Sequence, residues 1–167
     1  MNGKKLLILG AGQYGMVAKE TAQAMDSFEE IDFLDDRNPV AIGKLAEYVL
    51  VRPQYDCAFV AMGNPSLRLQ WLDKLKAAGY ELPCLIHPRA YVSGSAEIGE
   101  GSIVEPMAVV NTEAVLARGT LVCAGSIVNH NASVCAGCQI DCGAVVASNA
   151  VVPAGTKVFS GTVFERS

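Results

Sequence analysis

The 167-residue sequence predicts two domains of different class. Residues 1–86 read as an α/β, Rossmann-like domain, and residues 87–167 as an all-β, left-handed parallel β-helix of hexapeptide repeats. Three observations carry this. A strand, a glycine-rich turn and a helix follow one another near the amino terminus; large apolar residues recur every six positions through the second half; and glycine or asparagine recurs between them in a fixed phase.

Taken in chain order, the apolar run over residues 5–9 meets Gly10-Ala11-Gly12-Gln13-Tyr14-Gly15, and a helical pattern occupies residues 14–25. Strand, glycine turn and helix is the order in which backbone N–H groups and a helix N-terminus can hold a phosphate. The next strand, residues 31–34, closes on Asp35 and Asp36, at the distance where nucleotide folds place an acidic ligand for ribose or base. Residues 57–62 supply further parallel-sheet material and end in Gly63-Asn64-Pro65 before a helix over residues 66–78. The stretch up to Ile86 has no room for a second mononucleotide unit, so a nucleotide fits and a dinucleotide does not.

From Val92 the six-residue step runs through Ile98, Val104, Val110, Leu116, Val122, Val128, Val134, Ile140, Val146, Val152, Val158 and Phe164 without a slip. Four residues after these stand small ones: Ala96, Ser102, Ala108, Ala114, Thr120, Ser126, Ala132, Cys138, Ala144, Ala150, Thr156 and Thr162. An even period matches the two-residue alternation of a strand and not the 3.6 of a helix. Gly101, Gly119, Gly125, Gly137, Gly143, Gly155 and Gly161, with Asn131 and Asn149, occupy the position between them, and these residue types enter left-handed backbone at least cost. A short strand and a corner every six residues, three to a turn, wind a triangular coil. Four such coils stack to a prism about 19 Å tall at the ~4.8 Å strand spacing.

Composition narrows the function. A formal net charge of −4 and a pI near 5.1 lack the basic footprint that nucleic-acid binding requires. No apolar run reaches the ~18 residues of a membrane span, and residues 1–5 lead directly into a strand, so a cytoplasmic protein is expected. The six cysteines, Cys57, Cys84, Cys123, Cys135, Cys138 and Cys142, read as reduced thiols, with Cys138 a small apolar filler. Cys135, Cys138 and Cys142 have metal-like spacing, but strand alternation and corners aim them apart, and no metal is expected. The outer faces carry Met107, Val109, Val115, Leu121 and Ile127, which predicts flat packing against further copies and a closed trimer.

The glycine-turn domain, the Ile86-His87-Pro88 joint and a repeat containing Val128-Asn129-His130-Asn131-Ala132 together resemble the NeuD/PglD-type sugar acyltransferases, related to sialic acid O-acetyltransferase and to the acetyltransferase of UDP-4-amino-sugars. The resemblance implies a nucleotide-sugar pocket lined by Gly10, Gly12, Gln13, Gly15, Asp35, Asp36, Gly63 and Asn64. It also implies acetyl-CoA as co-substrate in a groove between trimer subunits, and His130, preceded by Asn129, as the catalytic histidine. An amine or hydroxyl attacking a thioester must lose a proton, and imidazole is the side chain best suited to take it near neutrality. Ser148 lies one coil on, stacked ~4.8 Å away, so its backbone N–H is the expected oxyanion donor. His87 reads as a turn residue and stays outside the site.

Three departures from the family pattern accompany this. Asn131 stands where the family has an acidic residue after the histidine, Ser148 where it has glycine, and Gln139 where it has a second histidine. The family's β-helix also continues beyond the point where this sequence ends, which implies weaker hold on the adenine end of CoA. The alternative expectation is therefore a weak or inactive nucleotide-sugar-binding protein with a shortened β-helix, set beside an acetyl-CoA-dependent N- or O-acetyltransferase.

Overall fold

The computed structural model of the chain describes residues 3–165. It divides into two compact units, Met1–Pro83 and Cys84–Ser167.

In the first unit, β1 (Lys4–Leu9), β2 (Phe28–Leu34) and β3 (Cys57–Val60) form a parallel sheet in the order β2-β1-β3. The run Leu6-Leu7-Ile8-Leu9 is fully buried, as is β3, and strands covered on both faces read as unbroken apolar runs. Leu7, Leu9, Leu34, Ala58, Val60, Leu72 and Leu75 make one core. Helix α1 spans Gln13–Ala24; a short helix α2 (Tyr48–Val51) lies between two 3₁₀ turns, and α3 spans Pro65–Ala77. The 3₁₀–helix–3₁₀ stretch over residues 45–54 had no sequence signal, since it is too short to show a helical period.

The chain leaves β1 for one neighbour and then crosses to the other, so the strand order reverses at β1. Ligands in open α/β sheets bind outside the carboxyl ends of the strands at such a reversal. The loops after β1 and β3 meet there.

In the second unit, two-residue strands stack in three parallel sheets. One face holds Leu85–Ile86, Ile103–Val104, Leu121–Val122, Gln139–Ile140 and Lys157–Val158. The second holds Tyr91–Val92, Val109–Val110, Ile127–Val128, Val145–Val146 and Val163–Phe164, and the third Glu97–Ile98, Val115–Leu116, Ser133–Val134 and Val151–Val152. Each strand pairs with the one eighteen residues on, as Val128 with Val146, which is three repeats of six and one full coil. The predicted left-handed parallel β-helix is the fold of this unit.

The coil starts one repeat earlier than the sequence suggested. Leu85–Ile86 already pairs with Ile103–Val104, and Ile86 with Ala90 keeps the large–small phase that the His87-Pro88 pair conceals. Large residues from Val104 to Val158, and small ones such as Ala108, Ala132 and Cys138, fill the interior. The polar small residues at interior positions bond back to the chain: Thr120 Oγ1 donates to the Ala117 carbonyl and Ser126 Oγ to that of Cys123.

Gly101, Gly119, Gly125, Gly137, Gly143, Gly155, Gly161, Asn131 and Asn149 all have positive φ, as the pattern predicted. Met107 (φ 63°) and Glu113 (φ 57°) do as well. The stacked coil therefore imposes the corner even where the side chain opposes it, at ~1–2 kcal/mol per residue. One expected outer residue is corrected: Leu121 is buried at 1% exposure, whereas Met107 and Val115 stand exposed and Val109 and Ile127 half-buried. Alternation correctly placed its side chain away from the coil interior, but facing outward does not guarantee exposure.

Candidate functional site

Each unit presents one candidate site. In the first, a cavity of about 400 Å³ is lined by Gly10, Gly12, Asp35, Asp36, Arg37, Leu45, Ala61, Met62, Gly63, Asn64 and Leu67, within the size range of small-molecule pockets.

Two glycines shape it for different reasons. Gly10 has φ +100°, and a Cβ there would lie 2.8 Å from the Ala61 carbonyl oxygen, so the loops after β1 and β3 can approach only over glycine. Gly15 sits in the first turn of α1, where a Cβ would lie 2.2 Å from the Gly10 carbonyl oxygen. Gly12 and Gly63 have open space beside them. Gly12 caps α1 with no side-chain hydrogen bond, so the positive end of the helix dipole faces the cavity without a capping side chain. At α3 the Asn64 side chain accepts from the Leu67 N–H at 2.9 Å, so that helix start is already satisfied.

Of the predicted pocket residues, Gly10, Gly12, Asp35, Asp36, Gly63 and Asn64 line the cavity, whereas Gln13 and Gly15 stand outside its lining. Gln13 is exposed and Gly15 buried against the loop. The Asp35 carboxylate accepts the N–H groups of Ala11, Arg37 and Asn38 at 2.8, 2.8 and 2.9 Å. Those amides hold its carboxyl below the usual carboxylate range. Asp35 thus ties the loop after β2 to the glycine turn. Asp36 is more exposed, with Oδ1 accepting from the Leu45 N–H at 3.1 Å.

Sequence reasoning missed Arg68. Its side chain is fully buried, and Nη1 donates to the carbonyls of Met62 and Gly63, two residues of the cavity wall. Arginine in a helix usually signals a solvated face, so only the spacing of Gly63-Asn64-Pro65 to Arg68, which brings the first helical turn back over the loop, held a hint.

In the second unit His130 occupies an exposed corner after Ile127–Val128. The parallel ladder sets Ser148 over it, with Ser148 Oγ 3.3 Å from His130 Nδ1. The backbone is stacked in the same register: Asn149 N–H donates to the His130 carbonyl at 3.2 Å, and Asn131 N–H to that of Thr112 at 3.0 Å. Among the described residues no backbone carbonyl accepts the Ser148 N–H, so a donor remains at the corner beside the imidazole. Asn129 is half-buried, its Oδ1 accepting from Asn111 Nδ2 at 3.2 Å, and so braces the corner along the coil. Asn131 is exposed at φ 58°. Gln139 belongs to a different face, its amide 3.4 Å from Asp141 Oδ1. His87 Nδ1 accepts the Arg89 N–H at 3.0 Å, a local turn bond.

Cys138 is fully buried, Cys135 half-buried and Cys142 exposed. Among the described residues no helix is long and apolar enough to cross a membrane.

Residues 5–75 match the family model of the PglD N-terminal domain. Over 110 residues the chain is 34% identical to UDP-N-acetylbacillosamine N-acetyltransferase of Bacillus subtilis (strain 168), a match covering 60% of this chain and 51% of that protein. The chain thus spans about half the length of this curated relative. The acetyltransferase domain of PglB from Neisseria gonorrhoeae FA1090, solved with acetyl coenzyme A, is 35% identical, with a TM-score of 0.93 over 98% of this chain and 83% of that one. PerB from Caulobacter crescentus, solved with CoA and GDP-perosamine, shares the fold at a TM-score of 0.70 and 22% identity, over 96% of this chain and 91% of that one.

Proposed function

We propose, from the premise that this chain belongs to the NeuD/PglD-type family of sugar acyltransferases, that it transfers the acetyl group of acetyl-CoA to the amino group of a nucleotide-activated sugar. The observation that carries the reading is the His130 corner: an exposed imidazole with a side-chain partner on Nδ1 and, one coil away, a backbone N–H that no carbonyl among the described residues accepts. The 34% identical relative, by its name an N-acetyltransferase of a UDP-sugar, supports nitrogen as acceptor, and the 35% identical domain solved with acetyl coenzyme A supports the donor.

In this reading the sugar amine attacks the thioester carbonyl carbon, and His130 takes the proton that the nitrogen must shed. The developing oxyanion accepts from the Ser148 N–H. Collapse breaks the C–S bond, and the imidazolium returns the proton to the departing thiolate, giving N-acetyl sugar and CoA thiol. The cavity of the first unit holds the nucleotide: Gly10, Gly12, Gly63 and Asn64 form its small-residue walls, the start of α1 faces the diphosphate with the positive end of its dipole, and Asp36 and Arg37 line the remainder. Gly15 acts from behind that wall, packed against the Gly10 carbonyl, and Gln13 stands exposed at the start of α1.

The working unit in this proposal is a homotrimer. Exposed Met107, Val115, Val151 and Val163 on the β-helix support it, because an apolar outer face is satisfied by a second copy. In this proposal the protein works in the cytoplasm.

Purified protein given acetyl-CoA and a panel of UDP- and GDP-amino-sugars should release CoA thiol, and His130→Ala should lower kcat by 10² or more. Equal turnover in that variant removes His130 from the mechanism. Sedimentation at micromolar concentration should give the mass of three chains.

A further inference from the structure

We infer that the Ser148 hydroxyl is a positioning residue for His130: it accepts the Nδ1–H and so fixes the tautomer whose lone pair is on Nε2. The inference rests on the reading of His130 as the base and assigns a second task to a residue whose backbone N–H already has one.

A neutral imidazole carries one N–H and one lone pair, and the hydrogen bond made by one ring nitrogen decides which is which. To take a proton at Nε2, His130 must hold its own proton on Nδ1. Nδ1 is the nitrogen nearer the backbone, and it lies 3.3 Å from Ser148 Oγ. The contact comes from the ladder rather than from a mobile loop. Val128 pairs with Val146 and Asn149 N–H bonds the His130 carbonyl, so residues two beyond each strand are held one above the other. Among the described residues, this hydroxyl is the side-chain group within hydrogen-bond reach of the ring.

The flanking residues do not take this role. Asn129 is engaged with Asn111, and Asn131 points from an exposed left-handed corner. A hydroxyl has two lone pairs, so it accepts from Nδ1–H in both the neutral ring and the imidazolium. No rearrangement is needed as the proton arrives at Nε2 and leaves again. Ser148→Ala removes this acceptor and keeps the backbone N–H, which separates the two tasks of one residue.

The chain has two histidines, and the other provides an internal reference. His87 Nδ1 accepts from the Arg89 N–H, so its proton sits on Nε2. Long-range ¹H–¹⁵N correlation on protein with labelled imidazoles at neutral pH should show opposite tautomers: Nε2–H for His87 and Nδ1–H for His130. In Ser148→Ala the His130 pattern should move toward Nε2–H while His87 stays. With acetyl-CoA and the UDP-amino-sugar that the native protein turns over, Ser148→Ala should lower kcat about tenfold, with both KM values within about twofold. Ser148→Thr, which keeps the hydroxyl, should retain more turnover than Ser148→Ala. An Nε2–H tautomer at His130 in the native protein overturns the inference. So does a low kcat in His130→Ala beside a native kcat in Ser148→Ala, which leaves the base assignment standing. Native kcat in His130→Ala removes the base assignment itself, and this inference with it.

Discussion

Replacing Gly15 by alanine sets two effects of known size against each other. Alanine favours a helix over glycine by ~1 kcal/mol, so on propensity alone the variant should be more stable. Its Cβ would, however, lie 2.2 Å from the Gly10 carbonyl oxygen, 3.0 Å from the Gly10 carbonyl carbon and 3.4 Å from Phe33 Cε1. Relief to ordinary contact requires the start of α1 to retreat by roughly 1 Å. The obstacle is backbone, fixed by the Gly10 N–H bond to the Leu34 carbonyl at 2.9 Å, and no side chain can swing aside. Overpacking of this kind costs ~1–3 kcal/mol, and the upper end applies to a backbone clash. The net loss is then on the order of 1–2 kcal/mol, which for a unit of this size lowers its melting temperature by about 10 °C. Because α1 starts at the cavity, UDP affinity should fall with it, by about tenfold. Calorimetry on the full chain supplies both readings: a thermal scan for the first, and titrations with UDP and with acetyl-CoA for the second, the acetyl-CoA isotherm serving as control. A variant that melts at or above the native temperature with native UDP affinity would refute the close-approach argument and return Gly15 to being an ordinary helix position.

Arg68→Met should raise KM for the nucleotide-sugar while leaving KM for acetyl-CoA near native, because the Met62 and Gly63 carbonyls lose a charged donor worth ~1.5–3 kcal/mol; initial rates with each substrate varied in turn check this. Glu113→Gly should stabilise the β-helix by ~0.5–1 kcal/mol, since relief of ~1–2 kcal/mol at a left-handed corner outweighs the entropy glycine adds to the unfolded chain; a lower melting temperature would contradict it. Asp35 carries the pH dependence. Its carboxyl is held low by the amides of Ala11, Arg37 and Asn38, so its stabilising contribution is full above the unfolded value and lost as pH falls through the folded one. Thermal stability and UDP binding should therefore decline below about pH 4, and Asp35→Ala should flatten that acid limb.

Much of the fold was legible because its signals are local. An even period in residue size leaves a strand as the only backbone that keeps thirteen large residues in phase, and Gly10 and the corner glycines stand at positive φ, where a larger side chain is strained. Element boundaries were legible to within a few residues: β2 starts at Phe28, ahead of the expected start at residue 31, because exposed Glu29 and Glu30 at a sheet edge interrupt the apolar run. The site was half legible. His130 and Ser148 follow from register alone, since eighteen residues make one coil. Arg68 was not, because its burial depends on how α3 lies over the loop after β3.

The sequence by itself determined the two folds, the corner that carries His130 and the loops that enclose the cavity, because periodicity and glycine placement act through the backbone of neighbouring residues. Only the tertiary structure decided which polar atoms are already engaged. It turned Asp35 into a tie between two loops, drew Asn129 into a ladder with Asn111, buried Leu121 and gave the imidazole a hydroxyl for a neighbour. Hydrogen bonds have a reach of about 3 Å, and whether two groups fall within it is fixed by packing between segments that the one-dimensional pattern does not record.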